Sequence, residues 1–318
     1  MIKIGIVGAG IICGEHSKAI EKSSECKLTM VADLDFDKAI KYAEPHGAKA
    51  FTDYKDFVKD ENEKPDAVIL NLPHFLHCEV AIYFMSHGVH VLVEKPMAMT
   101  VEECDRMIEA SKKYNVKLAI GHVQQYIRAL DAVKDIIKSG EYGRLTRITE
   151  LRNTDYFTKR PAWFLDKKLS GGGIVMNYCA HTLDKLFYVT EADLLEVHSS
   201  LSNYLNDCTI EESAQIFAKF TGGISAVLTY CGGKVPEECE TKFYFTNGAV
   251  MIKNNTQLCL MKDKKWEPVE LEPMLMFERQ LEAFVNLIEG RESVAITGEY
   301  GKKVIAGIEK IFKPGIER

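Results

Sequence analysis

The chain runs to 318 residues, enough at about 150 residues per domain for two domains with cores of their own, which excludes a peptide scaffold. Apolar residues make up 46% and charged residues 27%, the balance of a globular protein and not of a disordered or collagen-like one. With 40 Lys and Arg against 46 Asp and Glu the formal net charge is −6, which leaves no electrostatic footprint for nucleic acid or an anionic membrane and points to a small-molecule partner.

From the N-terminus, short β-branched runs alternate with longer amphipathic segments, the pattern of βαβ units feeding a parallel sheet. The spacing predicts strands over 2–7, 27–33, 48–51, 67–71, 90–93 and 117–120, and helical stretches near 14–22, 36–44, 54–58, 76–87 and 101–114. Thr100 followed by Glu103 reads as a capping box opening the last of these. The strands near 67 and 90 are apolar throughout, which predicts burial on both faces. After about residue 120 a helix over 127–138 gives way to strands over 145–151, 215–220, 224–231, 242–246 and 249–253, with turn signals at Thr221-Gly222-Gly223 and Asn247-Gly248. Two further helices are expected over 280–287 and 300–312. The fold class is therefore α/β: parallel βαβ units over 1–120, then an α+β part over 121–318 with a large, mostly antiparallel sheet.

Nine cysteines are scattered without a C-x-x-C pair, which fits reduced thiols and a cytoplasmic setting. The start from Met1 to Cys13 lacks the basic leader and small-residue cleavage site of a signal peptide, and no apolar run is long enough to span a bilayer. The histidines form no metal motif such as H-E-x-x-H, so no metal is expected.

Gly8-Ala9-Gly10-Ile11-Ile12-Cys13 follows a strand and opens a helix, the context a G-x-G-x-x-G dinucleotide fingerprint needs. The first glycine permits the tight turn and the second lets the backbone approach a pyrophosphate at the helix N-terminus. Cys13 stands where a glycine or alanine is usual, and Gly14 directly after it offers relief from crowding. Asp33 ends the second strand about 20 residues on, where a carboxylate accepts hydrogen bonds from the adenosine ribose and repels a 2′-phosphate. NAD is therefore expected in preference to NADP. The competing reading of Asp33 is the start of a polar loop with Asp35 and Asp37.

Two segments, Pro65-Asp66-Ala67-Val68-Ile69-Leu70-Asn71-Leu72-Pro73-His74-Phe75-Leu76-His77 and Gly88-Val89-His90-Val91-Leu92-Val93-Glu94-Lys95-Pro96, resemble the paired signatures of the Gfo/Idh/MocA oxidoreductase family. A third, from Ser170-Gly171-Gly172-Gly173 through Asn177 and His181 to Asp184, resembles that family's G-G-G-x-L-x-D-x-G-x-H-x-x-D segment. The resemblance covers nearly the whole chain. It implies a Rossmann dinucleotide-binding domain over 1–120, followed by a substrate-binding domain over 121–318 whose open-faced sheet serves oligomerisation, as a homodimer or homotetramer. It implies further that Lys95 reaches the nicotinamide region and the substrate hydroxyl, where its cation favours an alkoxide and lowers the pKa of a neighbouring imidazole. His181 matches the family's acid/base histidine. Asn177 stands where members commonly carry Asp, one helical turn before His181; an amide still holds a hydroxyl but supplies no charge. Cys179 replaces a usual glycine and Leu72 a frequent threonine.

The cofactor side is expected to comprise Gly8, Ala9, Gly10, Ile11, Ile12, Asp33, Asn71, Leu72, Pro73, His74, His77, Glu94 and Lys95, with His16 and His77 read mainly as structural. The substrate side is expected to comprise Lys95, His122, Tyr156, Trp163, Asn177 and His181, with Gln125, Arg128 and Arg160 nearby; a packed seam explains several of these equally well. The implied activity is hydride transfer between a nicotinamide cofactor and a secondary alcohol or ketone of a sugar, cyclitol or related polyol. Two alternatives stay open: an NAD-dependent, redox-assisted glycosidase or lyase, and a catalytically silent NAD-sensing regulatory protein.

Overall fold

Strands joined by βαβ crossovers must lie parallel, and the helices that make the crossovers cover both faces of the sheet they build. The computed structural model describes residues 1–158, 160–203, 208–273 and 275–315. The chain forms two compact units, Met1–Val123 with Leu275–Ile305, and Gln124–Met274 with Ala306–Arg318.

In the first unit, strands β1 (Ile2–Val7), β2 (Cys26–Ala32), β3 (Lys49–Phe51), β4 (Ala67–Leu70), β5 (His90–Glu94) and β6 (Leu118–Gly121) form one sheet in the order β3-β2-β1-β4-β5-β6. Every pairing in it is parallel. Helices α1 (Ile11–Lys22), α2 (Phe36–Ala43), α3 (His74–Ser86) and α4 (Val101–Lys113) lie between the strands, and Tyr54–Val58 forms a 3-10 turn. All of β4 and the three central residues of β5 are buried, as their apolar runs require. This is the doubly wound order, in which the winding reverses between β1 and β4 and ligands bind beyond the carboxyl ends of the strands flanking that point. The capping box at α4 forms with a shift: Thr100 Oγ1 accepts the Glu103 N–H at 3.2 Å, while the Glu103 carboxylate reaches back to the N–H of Met99 at 2.9 Å.

The second unit contains α5 (Arg128–Ser139), β7 (Leu145–Asn153), α6 (Lys167–Ser170), α7 (Ala180–Thr190), β8 (Leu194–Ser202), β9 (Ser213–Phe220), β10 (Ile224–Cys231), β11 (Glu238–Phe245), β12 (Ala249–Lys253), β13 (Gln257–Lys262) and β14 (Lys265–Val269). These strands form one sheet, β14-β13-β12-β11-β7-β10-β9-β8. It is antiparallel except for the pairing of β10 with β7. Both expected turns are present, Gly222 and Gly223 bridging β9 to β10 with positive φ and Phe245 N–H closing on Gly248 O at 2.9 Å. One face buries Ile148, Ile216, Leu228 and Phe243. On the other, Phe217 and Val227 pair in register and stay 38% and 41% exposed.

The chain then returns. Helix α8 (Met276–Ile288) lies in the first unit, where Leu281, Phe284 and Val285 join Ile4, Ile6 and Ile20 in one buried cluster. Lys22 and Arg291 add ion pairs to Glu278 and Glu25, each 2.7 Å long. Helix α9 (Gly298–Phe312) runs on from the first unit's residues into the second's. A single cut after residue 120 leaves this return out, because an amphipathic helix carries no mark of which sheet it will cover. Among the described residues no helix is long and apolar enough to cross a membrane.

Candidate active site

The turn after β1 is shaped by backbone. Gly8 adopts φ +95°, its N–H donates to Ala32 O at 2.8 Å, and a Cβ there would stand 2.4 Å from the carbonyl oxygen of Asn71. Gly10 is different: it caps α1 with φ −77°, and nothing lies within 4 Å of the place its Cβ would take. The first turn of α1 holds no acidic side chain and no side-chain cap, which leaves its N-terminus suited to an anion. Ile11 and Ile12 are exposed beside it. Cys13 is fully buried in the core, and burial pushes its thiol up to about 12, so it packs as a small inert hydrophobe. Gly14 is not needed to relieve it, since a Cβ there would only touch the Tyr42 ring at 3.4 Å.

Asp33 is fixed across this turn, accepting the Ala9 N–H at 2.8 Å through Oδ2 and the Asp35 N–H at 2.9 Å through Oδ1. Both readings of Asp33 therefore hold in part: it opens the polar loop and also faces the glycine turn. Asn71, after β4, donates from Nδ2 to Gly8 O at 3.5 Å, and its buried Oδ1 has no hydrogen-bond partner among the described residues. An open anion seat, a fixed carboxylate and an unsatisfied acceptor at the winding reversal fit a dinucleotide.

At the end of β5, Glu94 accepts from His16 Nε2 at 2.9 Å, and the fully buried His16 ring stands edge-on to Phe277 at 5.0 Å. Gly121 makes room for that carboxylate, since a Cβ there would meet it at 3.0 Å. The other Glu94 oxygen accepts the Lys95 N–H at 3.3 Å, so the backbone carrying Lys95 is held from the sheet. Leu72, Pro73 and the half-buried Lys95 line loops at strand ends, and His74 opens α3.

Three residues expected on the cofactor or substrate side are fully buried. His77 is fully buried with both ring nitrogens on backbone carbonyls, Nδ1 at 2.9 Å from Pro96 O and Nε2 at 2.8 Å from Leu72 O; it ties two loops together and has no nitrogen left for a cofactor. His122 is fully buried, and burial followed by the charge of Lys95 pushes it down to about 3. Tyr156 is fully buried and donates its hydroxyl to Gly173 O at 3.2 Å.

In the second unit the glycine run is explained by close approach. A Cβ on Gly172 would stand 2.6 Å from the Phe312 ring, and one on Gly173 would stand 2.1 Å from the carbonyl oxygen of Glu211. The helix that follows is not α-helical throughout. Over Val175–Cys179 it winds as a π-turn, with the Ala180 N–H donating to Val175 O five residues back, before continuing as α7. Asn177 and His181 are thus separated by a wider turn than expected; such turns recur at functional sites. Asn177 keeps 5% of its surface, while His181 is half-buried. Gln125 donates to Asp184, Arg160 donates to the Tyr178 hydroxyl at 2.8 Å and to Tyr156 O at 3.3 Å, and half-buried Trp163 stacks on Phe164 at 3.9 Å. Arg128, at the start of α5, is exposed.

Two buried polar clusters here had no mark in the sequence. Glu211 is one. In the other, Glu150 of β7 meets Lys185 of α7 at 2.9 Å, with Thr182 and Thr241 donating to the same carboxylate. Single acids on strands and loops read as surface residues unless a partner is known.

A doubly wound nucleotide-binding unit and an α+β unit built on one large, mostly antiparallel sheet define a class of nicotinamide-dependent oxidoreductases. Residues 2–122 match the profile of the oxidoreductase family with an NAD-binding Rossmann fold, and residues 130–251 match the GFO/IDH/MocA C-terminal domain. The chain belongs to the Gfo/Idh/MocA family and is an NAD(P)-dependent oxidoreductase. It is 30% identical over 238 residues to a 1-carboxy-3-chloro-3,4-dihydroxycyclohexa-1,5-diene dehydrogenase of Comamonas testosteroni, an alignment spanning 73% of this chain and 58% of that relative. It is 26% identical to a 1,5-anhydro-D-fructose reductase of Ensifer adhaerens, over 95% of this chain and 92% of the relative. Its fold matches the crystal structure of the aldose–aldose oxidoreductase of Caulobacter crescentus with a TM-score of 0.87, 22% identity and coverage of 98% and 96%.

Proposed function

We propose that the chain moves a hydride between NAD(H) and a secondary alcohol or ketone carbon of a sugar, cyclitol or related polyol. The observation that carries this is the turn at the winding reversal, where the open seat before Gly10 stands beside Asp33, held by the Ala9 N–H at 2.8 Å. Bound nicotinamide supplies the hydride acceptor or donor. Asp33 accepts ribose hydroxyls with its remaining lone pairs, and together with Asp35 and Asp37 it repels a 2′-phosphate, which favours NAD over NADP. Lys95, its backbone braced by Glu94, offers a cation to the substrate oxygen as that oxygen gains negative charge. His181 takes the hydroxyl proton in oxidation and returns it in reduction. Asn177 holds a substrate hydroxyl as a neutral amide. The two relatives above act, by name, on a dihydroxylated carbocycle and an anhydrosugar, which supports a polyhydroxylated ring as substrate.

The test is NADH absorbance with NAD or NADP and, in turn, myo-inositol, D-glucose and 1,5-anhydro-D-glucitol, with Lys95→Met and His181→Ala as controls. NADH formation with one of these alcohols, lost in both variants and weaker with NADP, is expected. Turnover unchanged in Lys95→Met refutes the assignment of chemistry to these residues, and NADH binding without turnover in either direction favours a sensor.

A further inference from the structure

We propose that Glu211 is a positioning residue, fixing the turn from which Asn177 presents its amide. The inference rests on the substrate-holding role given to Asn177 above. A helix N-terminus leaves its first N–H groups without internal partners, and a cap from a residue near in sequence ordinarily satisfies one or two of them. Here one residue far along the chain satisfies three. Glu211 Oε1 accepts the N–H groups of Gly173 and Val175, each at 2.8 Å, and the Glu211 carbonyl accepts the N–H of Ile174 at 3.2 Å. Only glycine at 173 permits this, because any Cβ would overlap the Glu211 carbonyl.

From that anchored end the path to Asn177 is short. The Asn177 N–H donates to Gly173 O at 3.0 Å, and the same carbonyl accepts the Tyr156 hydroxyl at 3.2 Å. The π-turn begins at Val175, so the bonds from Glu211 set where the wider winding starts and hence the direction Asn177 faces. Glu211 is fully buried and its Oε2 has no hydrogen-bond partner among the described residues. Burial pushes its carboxyl upward against the pull of the two N–H bonds, so a neutral side chain of the same shape suits the place.

The test compares Glu211→Ala, Glu211→Gln, Asn177→Ala and the Glu211→Ala/Asn177→Ala pair in the full-length protein. Three readouts are taken: KM and kcat for whichever of myo-inositol, D-glucose and 1,5-anhydro-D-glucitol turns over, NADH affinity by fluorescence, and amide hydrogen exchange of the peptide over 171–181. Glu211→Ala is expected to raise KM about tenfold, to leave NADH affinity within about twofold and to speed exchange over 171–181, with Glu211→Gln restoring all three. In the Asn177→Ala background the same change should move KM less than about twofold, because its effect passes through Asn177. Equal KM changes in both backgrounds, or wild-type KM and exchange in Glu211→Ala, overturn the proposal. Should Glu211→Ala fail to fold, Glu211→Asp, too short to reach both N–H groups, serves the same comparison. If Asn177→Ala alone leaves KM unchanged, the role of Asn177 in the proposed function fails, while exchange still reads whether Glu211 holds the turn.

Discussion

Gly8 and Gly10 sit two residues apart and predict opposite phenotypes for the same substitution. At Gly8 an alanine would have to hold φ +95° with its Cβ 2.4 Å from a backbone oxygen, an overlap no side-chain rotation relieves. The left-handed conformation alone costs about 1–2 kcal/mol, and with the overlap the total reaches roughly 2–4 kcal/mol. At about 2–4 °C per kcal/mol for a domain of this size, Tm should fall by roughly 4–16 °C. At Gly10, φ −77° suits any residue and the space is open, so Gly10→Ala should hold or gain about 0.4–1 kcal/mol through the unfolded chain. The new methyl would instead occupy the anion seat and lower NADH affinity about tenfold, or about 1.4 kcal/mol. Thermal melts without cofactor and NADH fluorescence titrations on the two variants separate these effects. A Gly10→Ala protein that binds NADH as tightly as wild type would show that no pyrophosphate approaches that backbone.

Two other predictions concern buried charge. For Glu150, burial raises the carboxyl but the Lys185 ammonium and three hydrogen bonds outweigh it and hold the group below the usual glutamate range; either Glu150→Gln or Lys185→Met should cost about 3–5 kcal/mol in urea unfolding, and costs below about 1 kcal/mol would mean that the pair is not sealed from water. His122 is held down to about 3 by burial and then by Lys95, so between that value and the ordinary histidine range near 6.5 the unfolded chain binds the extra proton. Its contribution to stability is complete above about pH 6.5 and drains away as pH falls toward 3, by a few kcal/mol in all. Urea midpoints from pH 7 to 4.5 should fall less steeply in His122→Gln, and parallel slopes would contradict this.

The parallel sheet was legible because its strands other than β3 are largely buried apolar runs between turn residues. The predicted ranges 2–7, 224–231 and 249–253 coincide with β1, β10 and β12. β8, β13 and β14 escaped: at the two edges, Leu195, Glu196 and His198 of β8 and Lys265 to Pro268 of β14 leave little alternation to see, and β13 buries the adjacent Leu258 and Cys259. The dinucleotide turn was readable from two glycines and an aspartate, since a strand, a tight turn and a helix restrict residue type locally. His77 and Tyr156 stood among the expected ligand-side residues, and both give their polar atoms to backbone carbonyls of the chain. Motif spacing locates a residue along the chain but does not say whether its polar atoms meet a ligand or a carbonyl of the same chain. Glu211 lies 38 residues beyond Gly173 in sequence and reaches it only through the fold.

At one end of the large sheet, β14 pairs with β13 through Pro268 opposite Cys259 and presents Lys265 and Glu267 to solvent. Proline has no N–H to offer a further strand, and charges of both signs along the rim make an incoming backbone costly to desolvate. An eight-stranded sheet with an unguarded rim would be a template for edgewise growth. At β14 the proline and the charges oppose edgewise growth, one route to fibrous assembly.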